Sequence, residues 1–393
     1  MKFLFSLLLI STLSVFADQH VLKFIGKEGA KTIVLISGDE EYRSEESMPM
    51  LAKILTVHHG FNCIVLFSWD KKGQYIDPNG HSTIKGWHYL NDADLMIVGT
   101  RFRKPDASDR EIIAKYLKAG KPVIGIRTAT HGFKGKDLIC EGLSLDDFGP
   151  KIIGDGWVSH HGKHKKQGTR GVINEKNASH PILNHVKDVF GPSDVYGIKA
   201  LTEKDTILLR AAVTKNLDPD SEILEGQINS PMQALAWLHP YQIQGGSPGL
   251  TFATTLGGSV DFVNEDLRRM LINASYFLLG LDVPTKANVD FIDAFYPSFY
   301  SENRRIWKQR KLKITEFELG KTPYYPDFPN NPKWPYRAVP SKEKPLKRRP
   351  EMNAGPMKLS MMSPKIQHEK INDKPLKPGA FFFGMKSLVS RKL

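Results

Sequence analysis

The chain has 393 residues, 40% hydrophobic and 25% charged, which is enough apolar mass for a sizeable core. That composition excludes a wholly disordered chain, a collagen-like repeat and a disulfide scaffold. Lys and Arg outnumber Asp and Glu by 55 to 42, but from Lys311 onward the ratio is 18 to 7, so the tail is basic and the body nearly neutral.

Residues 1–17 begin with Lys2, run apolar from Phe3 to Ile10 and end on small-residue punctuation at Val15 and Ala17. This is the pattern of a secretory signal peptide cleaved after about Ala17, too short for a membrane span, and it predicts an exported (periplasmic or extracellular) protein. No second long apolar run follows, so no membrane span is expected once the signal is removed. Lys31 to Ser37 (KTIVLIS) reads as a buried strand. Ser44 is placed to cap a helix with apolar positions Met48, Leu51, Ile54 and Leu55. Asn62 to Ser68 and Asp94 to Gly99 are the next strands; a capping box at Ser108 and Glu111 opens a second helix, and Pro122 to Ile126 is a fourth strand. Ile207 to Ala212, Gln233 to Trp237 and Leu250 to Thr255 read as further strands, and Asn264 to Leu279 as a last helix. Strands and helices alternating at this spacing predict an α/β sandwich with a mostly parallel sheet covered on both faces, spanning residues 28–285. Residues 286–393 read as an extended, basic, Pro-rich C-terminal region; 12 of the 25 prolines lie from Lys311 onward.

In such a sheet the ligand crevice lies beyond the carboxyl ends of the strands. Three of those ends are densely polar: GDEEYR (Gly38 to Arg43), GTRFR (Gly99 to Arg103) and RTATH (Arg127 to His131). Their side chains, Asp39, Glu40, Glu41, Arg43, Arg101, Arg103, Arg127 and His131, are expected to converge on one rim. Arg127 stands at the strand-to-helix turn where many enzymes of this layout hold a nucleophile. Neither of the two cysteines, Cys63 and Cys140, is near it in sequence, which excludes thiol chemistry at that turn. Export would permit the two cysteines to pair, but Cys63 lies inside an apolar strand-like run.

A second cluster runs from Gly156 to Gly171 and holds Trp157, His160, His161 and His164. Three readings stay open for it: a divalent metal at imidazoles such as His160 and His164, contact with an anion or sugar, or a solvated basic loop. Trp157 is suited to stack on a sugar ring, and Asp194 and Tyr196 (SDVY) to offer a carboxylate and a hydroxyl. The tail mixes Tyr324, Tyr325, Phe328, Trp334 and Tyr336 with prolines. In an exported protein this points to an anionic glycan, the envelope or another protein as partner, or to a solvated linker, rather than to nucleic acid.

In order and spacing, ISGDEEYRSEE, TRFR, GKPVIGIRTATH, GDGWVSHHG, TRGVI, SHPI, SDVY, ALAW and TFATTLGG resemble the ThuA-like (trehalose-utilisation) family, and its secreted branch in particular. The resemblance covers roughly Lys31 to Pro284. It implies a flavodoxin-like fold of the class I glutamine amidotransferase type and a hydrolase-like role in carbohydrate metabolism. Of the family's histidines, one matches His160; Arg127 and Gly258 stand where two others are usual.

The expected ligand is therefore a sugar or sugar derivative. His160 or His131 is expected as general acid–base and Asp194 or Glu41 as the partnered carboxylate. Arg43, Arg101, Arg103 and Arg127 are expected to clamp an anionic or carbonyl-bearing group, with Trp157, His161 and Tyr196 completing the contacts. A non-catalytic carbohydrate-binding protein on the same fold is the alternative.

Overall fold

The computed structural model describes residues 19–302 and 305–323; the expected signal peptide and most of the Pro-rich tail lie outside the described residues. Among the described residues twelve strands are formed: β1 (Val21–Phe24), β2 (Thr32–Gly38), β3 (Asn62–Phe67), β4 (Leu95–Thr100), β5 (Val123–Ile126), β6 (Leu138–Cys140), β7 (Leu143–Ser144), β8 (Thr169–Ile173), β9 (Phe190–Gly191), β10 (Thr206–Val213), β11 (Gln233–Tyr241) and β12 (Gly249–Thr254). Ten of them make one mixed sheet in the order β1-β3-β2-β4-β5-β12-β11-β10-β8-β9, and β6 and β7 form a separate hairpin. The run β3-β2-β4-β5-β12 is parallel throughout, and every other pairing in the sheet is antiparallel.

The strands of the parallel half are continuous apolar runs because both of their faces are covered. On one face α1 (Ser44–Val57) and α3 (Glu265–Leu278) bury Leu51, Ile54, Leu55, Met270 and Leu271 against Ile33, Leu35 and Ile124. On the other, α2 (Ala107–Lys118) buries Ile113, Tyr116 and Leu117 against Val34, Met96 and Val98. Among the described residues no helix is long and apolar enough to cross a membrane. Cys63 and Cys140 are both free thiols.

Two helix starts differ from the sequence reading. Ser44 does not cap α1: Arg43 precedes it in a left-handed backbone (φ 65°), and the Ser44 hydroxyl accepts from the N–H of Gly38 and Asp39 instead. In α2 the cap is Asp106, whose carboxylate accepts from Asp109 N at 3.0 Å, rather than Ser108.

The body does not end at residue 285. Val289, Phe295, Phe299, Tyr300, Trp307, Leu312 and Phe317 are all at most 4% exposed, and a short α4 (Ile306–Arg310) carries Trp307, whose indole donates to the buried Glu45 at 3.0 Å. Side chains of this size each gain about 1.5–3 kcal/mol from burial, so the described residues 286–302 and 305–323 form an integral strap and not a loose extension. The strap lacks periodicity because it packs as irregular chain, and irregular chain leaves no apolar repeat to read.

Candidate functional site

Beyond the carboxyl ends of β2, β4 and β5 lies a cleft of about 140 Å³ lined by Glu41, Arg101, Phe102, His131, Trp157, His160, Tyr196 and Glu302. Behind it sits Asp194, fully buried, on which three side chains converge. His160 Nδ1 lies 2.6 Å from Asp194 Oδ2, and His164 Nδ1 lies 2.9 Å from Oδ1. Arg127 donates Nη2–H to Oδ1 at 3.3 Å and Nη1–H to the Asp194 carbonyl at 2.7 Å. Burial alone would raise the pKa of Asp194, but the hydrogen bonds to His160 and His164 and the Arg127 charge outweigh it. The carboxyl is held well below the usual carboxylate range. An ionised carboxylate only accepts, so His160 donates Nδ1–H, and Nε2 is the ring nitrogen left for a ligand.

The local chain path explains why His160 reaches this place and its neighbour does not. Residues 159–162 run antiparallel to the segment around Tyr196, with a bridge between His160 and Tyr196. Side chains alternate across extended chain, so His160 faces Asp194 while His161 turns away and its Nε2 lies 2.6 Å from the Ile228 carbonyl. His161 is thus outside the cleft, contrary to the expected ligand contact. A tight turn at Lys163–Gln167 then returns His164 to Asp194, its Nε2 3.4 Å from Glu41. Burial pushes the His164 pKa down, but bonding to Asp194 and Glu41 prevails and raises it.

The arginines correct the sequence reading most. Arg43 is fully buried against Glu45 and Glu46 beneath the Trp307 ring. Arg103 is fully buried, pairing with Glu40 and donating to the carbonyls of Arg101, Pro78 and Gly80. Arg127 is 1% exposed, its guanidinium held between the rings of Tyr196 (3.8 Å) and Tyr42 (4.4 Å). None of the three can clamp a ligand; all are structural cations. Arg127 also takes φ 48°, a left-handed backbone that costs an ordinary side chain about 1–3 kcal/mol. The turn is strained, and what it holds is a guanidinium directed into the protein. Thr128 beside it is buried and donates to Asp39 at 2.6 Å, and Asp39 in turn accepts from the N–H of Glu41 and Tyr42. Burial and then the neighbouring Glu40 raise Asp39 to about 6.

Of the expected clamps only Arg101 lines the cleft, and it is occupied by Glu40 (2.5 Å), Glu302 (3.0 Å) and Glu41 (3.3 Å). Burial would raise Glu41, but His164 and Arg101 together lower it, so it too stays ionised. His131 is pushed down to about 3, by burial first and then by the Arg101 and Arg127 charges, and is a neutral imidazole. Trp157 is 40% exposed, with ring centroids 5.5 Å from His131 and 5.6 Å from His160. Tyr196 is buried and forms the floor. His160, His164 and Asp194 also present ligand atoms within 4.8 Å of one another, a grouping that a divalent cation could draw together.

Sequence reasoning brought together Glu41, Arg101, His131, Trp157, His160, His164, Asp194 and Tyr196. It missed Phe102 and Glu302. It also missed the stacked Tyr42 and Tyr300, 4.8 Å apart, which wall the site behind His164. Phe102 was inside a quoted motif and carried an apolar signal only. Glu302 and Tyr300 belong to the strap, where nothing in the sequence marked them.

No protein-family model and no curated protein sequence matches the chain. Among solved structures it is similar to a protein of Parabacteroides merdae described as ThuA-like, at 14% identity and TM-score 0.44, over 70% of this chain and 98% of that one. It is also similar to an IFT52 N-terminal domain (11%, TM-score 0.33, 65% and 100%) and to a cytoplasmic protein of Salmonella typhimurium (11%, TM-score 0.36, 63% and 98%). Likeness at this distance says nothing of activity.

Proposed function

We propose that the cleft binds a sugar or sugar derivative and moves a proton on it, with His160 as general acid–base and Asp194 as its carboxylate partner. The observation that carries this is the geometry at Asp194: a buried, ionised carboxylate fixed by Arg127 and bonded to an imidazole whose other nitrogen is free to meet a ligand. Such a carboxylate orients the ring and stabilises the imidazolium formed when Nε2 takes a proton from a hydroxyl or water. Trp157 supplies an apolar platform, Glu41 and Glu302 accept from hydroxyls, and neutral His131 offers a further polar contact. The motif order shared with ThuA-like proteins supports the sugar class, and the leader pattern in residues 1–17 supports action outside the cytoplasm. No thiol takes part: Cys63 is buried within β3, and Cys140 lies in the β6–β7 hairpin.

Replacing His160 by Ala tests the proposal. Turnover of a sugar substrate should fall by about 10²–10⁴ while binding weakens only modestly. Binding without turnover in the wild type selects the non-catalytic carbohydrate-binding alternative, which the guanidinium at the strained turn favours. A second reading uses the same atoms: the 4.8 Å cluster as ligands of a divalent cation that would activate water. The adjacent Arg127 charge opposes it. Metal content of the full-length protein beside His160→Ala decides: metal near one per chain that vanishes in the variant selects the metal, and none in either retains the acid–base pair.

A further inference from the structure

Building on the cleft as a sugar site, we infer that its ligand is uncharged: a hydroxyl-rich molecule with an apolar face, not a phosphorylated or carboxylated one. An anionic sugar needs an unoccupied cation, and the cleft offers none among the described residues. Among the described residues Arg101 is the one guanidinium in the lining, and each of its three nitrogens already faces a carboxylate: Nη1 faces Glu40, Nε faces Glu41 and Nη2 faces Glu302. The fork that would grip phosphate in two places is full. Both ring nitrogens of His164 face carboxylates, Nδ1 that of Asp194 and Nε2 that of Glu41, and His164 does not line the cleft. Lys163 and Lys166 are exposed on the neighbouring turn, but neither lines the cleft.

What does face an incoming ligand is the opposite sign. Glu302 is 47% exposed at its side chain and Glu41 12%, so a phosphate or uronate entering the cleft would meet carboxylates at close range. The same groups suit hydroxyls, which donate to carboxylate oxygens at little electrostatic cost. The rest of the wall is Trp157, Phe102, His131 and Tyr196, rings that receive the C–H face of a pyranose. His131 stays neutral at ordinary pH and adds no charge for an anion to find. On this reading Glu302 sets specificity: it closes the last open edge of Arg101 and keeps anions out.

Calorimetric and saturation-transfer NMR titrations of the full-length protein test this, with glucose, galactose, cellobiose and maltose beside phosphorylated glucose and glucuronate. At least one uncharged sugar should bind, at least about tenfold more tightly than its charged counterpart. Glu302→Ala, which uncovers Arg101 Nη2, should narrow that gap by raising affinity for the phosphorylated form; Glu302→Gln should do so to a lesser degree. Equal or tighter binding of the charged sugars by the wild type overturns the uncharged assignment and leaves the sugar site standing. No change in the gap in either Glu302 variant overturns the role of Glu302. Absence of binding by every probe removes the sugar reading, and this inference with it.

Discussion

The turns that close β2, β4 and β5 and the irregular segments that overhang them are equally polar in sequence, but they do opposite jobs. At the strand ends Asp39, Arg43, Arg103, Arg127 and Thr128 are all at most 2% exposed, and their charges and hydroxyls bind one another or backbone carbonyls. His160, Trp157 and Glu302 come from chain without regular structure, and they are more exposed than Glu41 and Arg101, the strand-end charges that share the cleft lining with them. The strand ends supply a fixed electrostatic base, and the irregular chain supplies the groups most open to a ligand. A dense run of charges at a strand end is therefore evidence of a crevice nearby, not evidence that those charges touch what enters it.

This division breaks most visibly at Arg127. Arg127→Met should cost about 3–5 kcal/mol in denaturant unfolding, since it strands the Asp194 carboxylate in a buried setting. A loss below about 1 kcal/mol would return Arg127 to the ligand. Trp307→Ala should cost a similar ~3–5 kcal/mol, because the ring is fully buried and bonded to Glu45. A mild effect there would make the strap dispensable.

His131 sharpens the comparison through pH. Its folded pKa, about 3, lies below its ordinary 6.5, so the unfolded chain binds the proton first as pH falls. Stability is intact above about pH 6.5 and is lost progressively toward pH 3. Thermal melts of His131→Gln across that window should show a flatter acid limb than wild type; parallel limbs would mean that His131 is not held neutral. The smallest effect is expected at His160, whose side chain is 36% exposed: His160→Ala should shift unfolding by less than about 1 kcal/mol even where it removes the proposed acid–base group. A large shift would move His160 into the scaffold.

Legibility followed the same line. β2, β3, β4, β5, β10, β11 and β12 and the three long helices were readable because burial on one or two faces writes an apolar pattern into the chain. The edge strands β1 and β9 are short and leave little pattern, β8 inside the sheet is only partly buried and carries Arg170 and Gly171, and the strap packs irregularly. The cleft was readable as a set of residue types, not as a set of roles. The Asp194–His160 pair joins positions 34 apart, and Arg101–Glu302 joins positions 201 apart. Which of four arginines sinks into the protein is decided by partners such as Glu45, Glu40 and Tyr42, and residue type alone does not encode that.

Trp157 turns this arrangement into an optical property. Trp69, Trp87, Trp237 and Trp307 are at most 3% exposed, whereas Trp157 is 40% exposed at the mouth of the cleft. Among the described tryptophans it alone emits from a wet environment. A ring laid across it would expel that water, shift the emission to the blue and shield the indole from a dissolved quencher. The protein thus reports occupancy of its own cleft by fluorescence, without a label.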